Sequence, residues 1–136
     1  MKPFFLFTLM TFIPTLIFGQ TYNCSPKDSI ATNLNITIDP ENVKPGQQYT
    51  ITSEFDLPYE ITTGSAKYVG KMDGFTVLND NYDLCSVTTC PLIAGHNRIV
   101  STDELPDLPA GVFELKVNWL TSQNKNILCT DFTFKS

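Results

Sequence analysis

Two cysteines, Cys85 and Cys90, are the first residues of this chain whose type and spacing could do chemistry. Cysteines separated by two residues, or a cluster of cysteine and histidine, would be typical of a zinc site. Here four residues separate the two cysteines, and the chain has one histidine, His96. We therefore predict no metal site, and we interpret the pair as a local disulfide that closes a loop or hairpin.

The start of the chain predicts the oxidising compartment that a disulfide requires. Lys2 gives a positive start, residues 4–18 are almost continuously apolar, and Gly19 offers a small residue for cleavage, as in a secretory signal peptide. The run is too short for a convincing membrane span. We expect a signal peptide at residues 1–19 and one mature domain at residues 20–136. Such a signal serves both secreted proteins and proteins of the lysosomal or endosomal lumen.

The remaining cysteines, Cys24 and Cys129, lie near the two ends of the mature chain. Four cysteines in a short secreted chain predict two disulfides, and three pairings are possible. The sequence does not choose among them, although proximity favours Cys85–Cys90 and so leaves Cys24 with Cys129. The longer bridge would tie the mature N-terminus to the last strand. It would stabilise the fold by about 4–5 kcal/mol in the chain-entropy model.

Charge and composition exclude several function classes. The chain has 9 basic and 14 acidic residues and no basic run, which argues against nucleic-acid binding and against strong docking on anionic membranes. An enzyme needs a nucleophile with a base, a tuned carboxylate pair or a metal. No Gly-x-Ser-x-Gly motif is present, and His96 is interpreted as a surface or loop residue. We expect no catalytic activity and no cofactor.

Alternation of apolar and polar residues predicts an all-β fold, and no segment has a convincing helical period. Turn signals such as Pro45-Gly46 and Asp73-Gly74 separate the alternating segments. In the segment 48–57 the inward positions are apolar except for Ser53. Cys129 occupies an outward position of the last predicted strand, so we expect its disulfide to run along the outside or edge of the sandwich. We predict an immunoglobulin-like sandwich of two antiparallel sheets, with strands at residues 30–39, 48–57, 66–72, 75–78, 96–100, 112–120 and 128–134.

Two N-glycosylation sequons occur, at Asn23-Cys24-Ser25 and Asn35-Ile36-Thr37. Asn35 lies on the polar face of the first predicted strand, where a glycan would have room. Asn23 precedes a cysteine that we expect to be bridged, which hinders access. Asn35 is therefore the better acceptor of the two.

The predicted inward faces are rich in aromatic and aliphatic residues, including Trp119 and Phe132. These residues could fill a packed core, or they could line a cavity between two splayed sheets. Burying a CH₂ group contributes about 0.8 kcal/mol, so a sixteen-carbon acyl chain in such a cavity would gain roughly 12 kcal/mol before ordering costs. Periodicity does not separate a filled sandwich from a hollow one.

Short motifs follow one another in a distinctive order along the mature chain. They are Cys24, Leu84-Cys85, Cys90-Pro91-Leu92 with Gly95, Leu108-Pro109-x-Gly111-x-Phe113, Val117-x-Trp119-Leu120 and Ile127-Leu128-Cys129. In this order and spacing the chain resembles the ML lipid-recognition domain family, which includes the phosphatidylglycerol/phosphatidylinositol transfer proteins and the Niemann–Pick lysosomal sterol carrier. The resemblance covers nearly the whole mature chain.

The resemblance implies the pairings Cys24–Cys129 and Cys85–Cys90, and two antiparallel sheets that hold a lipid between them. Many members have a further N-terminal cysteine pair that this chain lacks, and the short loop from Cys85 to Gly95 is closer to the phospholipid-transfer branch. The implied function is non-covalent transfer of phosphatidylglycerol or phosphatidylinositol, with sterol transport as the alternative cargo. A filled immunoglobulin-like recognition module is the alternative from another class. The expected partners are a lipid and, transiently, a membrane, and we expect a monomer.

The expected cavity wall combines inward-facing strand residues with two leucines of a proline-marked loop. Leu105 and Leu108 are expected at the mouth of the cavity. The full set of expected lipid-binding residues is Phe55, Tyr68, Phe75, Leu105, Leu108, Phe113, Leu115 and Val117.

Overall fold

The computed structural model describes residues 18–107 and 110–135, and strands dominate that part of the chain. The strands are β1 (Phe18–Asn23), β2 (Thr32–Asp39), β3 (Gln48–Leu57), β4 (Gly64–Met72), β5 (Phe75–Asp83), β6 (Gly95–Glu104), β7 (Val112–Thr121) and β8 (Asn126–Lys135), and a one-turn helix, α1, spans Leu84–Val87. The predicted all-β class is confirmed.

Two antiparallel sheets form a sandwich, which confirms the predicted architecture. The larger sheet has the strand order β1-β8-β7-β4-β5, and the smaller sheet has the order β2-β3-β6. At one side of the sandwich β1 approaches β2, and the Thr21 hydroxyl donates to the Ile36 carbonyl at 3.4 Å. At the other side the chain passes from edge strand β5 to edge strand β6 through α1 and residues 88–94. A contact between β1 and β2 therefore closes one side of the sandwich, and α1 with the loop that follows it crosses the other side.

Three elements depart from the sequence prediction. Strand β5 continues beyond its predicted end at residue 78 through residues 79–83, because its backbone pairs with β4 as far as Ser65 opposite Asp83. Its alternation is weak because an edge strand has polar residues on both faces. Strand β1 and helix α1 were not predicted, since six and four residues are too few to show a period.

The disulfide between Cys24 and Cys129 lies on the outer face of β8, as parity predicts, but it is not exposed there. Cys129 is 3% exposed. The segment that follows β1 covers it, because the Ser25 hydroxyl accepts from the Cys129 N–H at 2.9 Å. The N–H groups of Ile30 and Ala31 then donate to the carbonyls of Asn126 and Ile127 at 3.0 and 2.9 Å. The predicted outward position of the bridge is correct, but the covering segment, residues 25–31, was not predicted.

The second disulfide joins Cys85 in α1 to Cys90, and it closes the crossing between the sheets. The crossing is anchored on both sides of the bridge. Leu84 is fully buried, and Leu92 exchanges two backbone hydrogen bonds with Ile61 at 3.0 and 2.8 Å. The bridge therefore holds a loop whose two ends are already fixed in the core.

His96 lies on the exposed face of β6, beside two carboxylates of β3. Its Nδ1 is 3.0 Å from Asp56 Oδ1, and its Nε2 is 3.3 Å from Glu54 Oε1. The hydrogen bonds to Asp56 and then to Glu54 raise the pKa of His96 above its ordinary value. The Asn33 amide and then His96 lower the pKa of Asp56. The histidine is thus a surface residue in an ion-pair cluster, as predicted.

The two disulfides should differ in their contribution to stability. The Cys24–Cys129 bridge closes 105 residues and the Cys85–Cys90 bridge closes 5. In the chain-entropy model we expect replacing the first pair by alanine to lower the free energy of unfolding by about 4–5 kcal/mol, and the second by about 2 kcal/mol. Urea titration of the two double variants measures both values. An equal loss in the two variants would contradict the entropic account.

The His96 cluster predicts a pH dependence whose sign follows from the two pKa shifts. Because the pKa of His96 is raised in the fold, its contribution is complete below pH 6.5, its ordinary value, and is lost as pH rises through the folded pKa. The contribution of Asp56 is present above pH 3.8, its ordinary value, and is lost as pH falls through its lowered pKa. NMR titration of the single imidazole should give a pKa above 6.5.

Asp56→Asn should bring that imidazole pKa back toward 6.5, because it removes the larger of the two hydrogen-bonding causes. Asp28→Asn, which changes the same charge at an exposed position outside the cluster, should leave it unchanged. An imidazole pKa that does not respond to Asp56→Asn would show that the cluster does not form in solution.

Candidate functional site

A cavity of about 170 Å³ lies between the two sheets. Strands β3 and β6 form one wall, strands β4, β7 and β8 form the other, and α1 contributes Val87. Most of the lining side chains come from alternate positions of their strands, as strand periodicity requires, and Thr102 at the end of β6 is the exception. The lining residues are Tyr49, Ile51, Ser53, Tyr68, Val87, Ile99, Ser101, Thr102, Asp103, Leu115, Val117, Trp119, Leu128, Thr130 and Phe132.

Two aromatic contacts bridge the sheets at the ends of the cavity. The ring of Phe55 in β3 meets Trp119 in β7 edge-on at 6.1 Å, and Tyr49 in β3 meets Phe134 in β8 at 6.2 Å. These distances are typical of favourable aromatic pairs. Between them β3 presents the smaller side chains of Ile51 and Ser53 to the interior. The cavity is therefore the space that two aromatic pairs hold open and that Ser53 leaves unfilled.

The polar groups of the cavity are unevenly placed. The side chains of Val117, Trp119 and Leu128 are buried in its interior, whereas residues 101–103 of β6 are exposed at its rim. Tyr68 reaches the cavity from the opposite sheet. One side of the cavity is thus buried and mostly apolar, and the β6 side is polar and exposed.

Two half-buried tyrosines stand at the rim with their phenols neutral. Burial raises the pKa of Tyr68, and the charges of Tyr82 and Asp103 raise it further. Burial, followed by the Asp103 charge, likewise raises the pKa of Tyr49. The ring of Tyr82 in β5 meets Tyr68 edge-on at 5.3 Å, and its hydroxyl donates to Asp80 Oδ2 at 3.1 Å. The rim therefore offers hydroxyl groups and carboxylates.

Three of the expected lipid-binding residues, Tyr68, Leu115 and Val117, lie together on the cavity wall. Phe55 does not line it, because its side chain is 0% exposed and packs behind Trp119. Phe113 also faces the interior, but its ring lies over the Cα of Gly70, where an added Cβ would come within 3.2 Å of it. Both phenylalanines belong to the packed core next to the cavity.

The remaining expected residues do not line the cavity in the described structure. Leu105 is 2% exposed and is held by backbone hydrogen bonds to Gly46 and Gln47 of the preceding turn. Phe75 is 77% exposed on the edge strand β5, because the three-stranded sheet is too narrow to cover the outermost strand of the five-stranded one. Leu108 lies outside the described residues. The expectation of a wall at Phe75 is therefore not met.

The lining residues of β6 were not among the predicted cavity residues. Ser101, Thr102 and Asp103 lie beyond the predicted end of that strand at residue 100, and their polar side chains gave no alternation to extend it. Tyr49, Ile51 and Ser53 carried a usable signal, since the alternation of β3 placed all three on one inward face. Val87 was missed because one helical turn shows no period.

A wider depression of about 870 Å³ runs along the outside of the sandwich, between residues 85–93 and residues 96–101. It is an open groove beside the disulfide loop. Leu92 is its one buried apolar side chain, whereas Val117, Trp119, Leu128 and Phe132 line the inner cavity. The inner cavity is therefore the better candidate for binding an apolar ligand.

Two further features of residues 18–107 and 110–135 bear on the site. No cluster of three or more histidine, cysteine, aspartate or glutamate side chains there is arranged to hold a metal ion. No helix in the same part of the chain is long and apolar enough to cross a membrane.

Comparison with known sequences identifies relatives among lipid-transfer proteins. The chain is 25% identical over 125 residues to a phosphatidylglycerol/phosphatidylinositol transfer protein of Mycosarcoma maydis; the match covers 85% of this chain and spans 65% of that relative. It is 27% identical over 132 residues to a Dictyostelium discoideum protein whose name marks it as a candidate transfer protein for the same lipids. That match covers 94% of this chain and 92% of the relative.

Solved structures share the fold. Chicken MD-1, crystallised with lipid IVa, superposes with a TM-score of 0.66 at 19% identity over 88% of this chain and 90% of its own. A Niemann–Pick type C2 protein from the Japanese carpenter ant superposes with a TM-score of 0.62 at 15% identity, over 84% and 96% of the two chains. The family model of the ML domain matches residues 20–136. The chain thus belongs to the ML domain family, as its cysteine motifs predict.

Proposed function

We propose that this protein is a non-catalytic carrier that binds a phospholipid between its two sheets and transfers it between membranes. The observation that carries the proposal is the cavity between the two sheets, with apolar walls on one side and an exposed polar rim on the other. An amphipathic ligand has the same division. The names of the two relatives point to phosphatidylglycerol and phosphatidylinositol as the first cargoes to test.

The driving force of binding is the removal of acyl chains from water. The walls formed by Val117, Trp119 and Leu128 replace that water with apolar contacts, at about 0.8 kcal/mol for each buried CH₂. The headgroup would stay at the rim beside Tyr68, where water and hydroxyl groups can satisfy it. No bond is made or broken in such a cycle.

Uptake requires the two sheets to move apart. The cavity of about 170 Å³ is smaller than the 300–1,000 Å³ or so of ordinary ligand pockets. The β1 side is tied by the Cys24–Cys129 bridge and by the β1–β2 contact. Helix α1 and residues 88–94 cross the β5–β6 side at one end, so the other end of that side, where residues 101–103 of β6 are exposed, is the part that would widen. Transient contact of this side with a membrane would allow the lipid to enter.

The destination of the protein follows from its first residues and its disulfides. We propose that residues 1–19 are a signal peptide and that the mature domain is residues 20–136. The family match begins at residue 20, and two disulfides fit an oxidising compartment. The protein would act as a monomer in the extracellular space or in the lysosomal or endosomal lumen.

The cargo is tested by native mass spectrometry of the secreted protein, followed by lipid extraction and by transfer of fluorescent lipid between vesicles. We expect a bound phospholipid and measurable phospholipid transfer. Recovery of sterol alone would show that the cargo is a sterol and not a phospholipid. A protein that carries no lipid and takes up neither labelled phospholipid nor labelled sterol would be a filled recognition module instead.

Ser53→Ile should separate lipid binding from folding. The added side chain fills the space between the two cross-sheet aromatic pairs, so we expect lipid uptake to fall at least tenfold. Cavity filling commonly raises stability by about 0.5–2 kcal/mol, so the melting temperature should stay the same or rise. Equilibrium uptake of fluorescent phospholipid and thermal unfolding measure the two effects.

The matched control is Thr52→Ile, which adds a similar side chain at the neighbouring position of β3, outside the cavity lining. It should leave uptake unchanged. Undiminished uptake by the Ser53 variant, with a normal fold, would mean that the lipid does not bind between the sheets.

We further propose that a glycan occupies Asn35. Its side chain is exposed on the edge strand β2, whereas Asn23 is also exposed but accepts a hydrogen bond from the Ser25 N–H at 2.9 Å beside the disulfide. Digestion of the secreted protein with an N-glycosidase should lower its mass, and Asn35→Gln should abolish that shift. Retention of the shift in this variant would assign the glycan to Asn23.

A further inference from the structure

The charge at the rim of the cavity is negative. Among the fifteen residues that line the cavity, Asp103 is the one whose side chain is charged at neutral pH. It lies at the exposed end of β6, directly opposite Tyr49 of β3 in the strand register. The rest of the lining is apolar or bears hydroxyl groups. A ligand headgroup at this rim would therefore meet a carboxylate.

Tyrosines of both sheets lie near the carboxylate. Tyr49 is its register partner in the three-stranded sheet, and Tyr68 lines the same cavity from the five-stranded sheet. The carboxylate charge contributes to the raised pKa of both phenols, as expected of groups that share one pocket. A carboxylate near aromatic rings is suited to an ammonium group, which gains from the opposite charge and from the rings.

A second carboxylate extends the negative field beyond the rim. Asp80 of β5 lies opposite Tyr68 of β4 in the register, and it accepts the hydroxyl of Tyr82 at 3.1 Å. Because Tyr82 packs edge-on against Tyr68, this carboxylate is linked to the same aromatic group. Both sheets thus place an acid near the tyrosines.

Basic side chains of the same strands are directed elsewhere. Lys67 and Lys116 occupy the positions next to Tyr68 and Leu115, so strand alternation puts them on the outer face of the sheet, and both are exposed. Arg98 is 3.9 Å from Glu54 in the ion-pair cluster on the outer face of β6. A phosphodiester with no positive group of its own would find no cation on the described cavity wall.

We propose that Asp103, flanked by Tyr49 and Tyr68, determines headgroup specificity and selects phospholipids that bear an ammonium group, phosphatidylcholine and phosphatidylethanolamine, over the anionic phosphatidylglycerol and phosphatidylinositol. The proposal rests on the proposed lipid-carrier function. The preferred headgroups would therefore differ from those in the names of the two relatives, phosphatidylglycerol and phosphatidylinositol.

A competition experiment tests the selection. The mature protein is incubated with vesicles that contain the four phospholipids in equal amounts and with matched acyl chains, and is then separated from them. The bound lipids are extracted and quantified by mass spectrometry. We expect the ammonium-bearing lipids to exceed the two anionic lipids by at least tenfold. We expect Asp103→Asn to bring that ratio to within twofold of unity, and Asp103→Lys to invert it.

Glu104→Gln is the matched control, because it removes the same charge one position along β6 and Glu104 is not among the lining residues. Its ratio should match that of the unaltered protein, and near-ultraviolet circular dichroism verifies the fold of each variant. An excess of anionic lipid in the unaltered protein overturns the headgroup proposal and leaves the carrier function intact, as does a ratio that Asp103→Asn leaves unchanged. Recovery of no phospholipid at all overturns both proposals.

Discussion

The cavity depends on how two aromatic pairs set the distance between the sheets. Phe55 on Trp119 and Tyr49 on Phe134 are cross-sheet contacts, and all four rings come from β3 on one side and from β7 or β8 on the other. Large rigid side chains keep the sheets apart where they meet. The positions between them on β3 are smaller, and Ser53 fills least space. Protein interiors normally leave few voids, so this gap is a structural feature that needs a cause.

The unequal widths of the sheets decide where the sandwich can open. Five strands face three, so the outermost strand β5 receives little cover, and Phe75 and Val77 are 77% and 61% exposed. The opposite side is closed by covalent and hydrogen-bonded contacts of the segment around Cys24. The β5–β6 side is crossed by α1 and the Cys85–Cys90 loop at one end, and its other end has little cover.

The family match and the charge at the cavity rim concern different parts of the molecule. The ML domain match covers residues 20–136, which include both sheets and both disulfides. Asp103 lies at the exposed end of the edge strand β6. Edge and loop positions tolerate change because few core contacts depend on them. A change at Asp103 should therefore disturb the packing between the sheets very little.

The sequence by itself determined the class of fold and much of the interior. Alternation in β2, β3, β7 and β8 indicated which residues face inward, because a strand has a strict period of two. The cysteine motifs led to the family and to the pairing found in the structure. Tyr68, Leu115 and Val117 were assigned to the cavity wall from the same pattern.

Only the tertiary structure decided which inward residues line a cavity and which fill a core. Phe55 and Leu115 have equivalent positions in their alternating patterns, yet one packs behind Trp119 and the other borders the void. Phe75 shares the sequence character of a wall residue, but its strand has no opposing sheet. Asp103 gave no signal at all, because a polar residue at a strand end reads as ordinary surface. Alternation reports the face of one strand, whereas a cavity depends on what the facing strand presents across the gap.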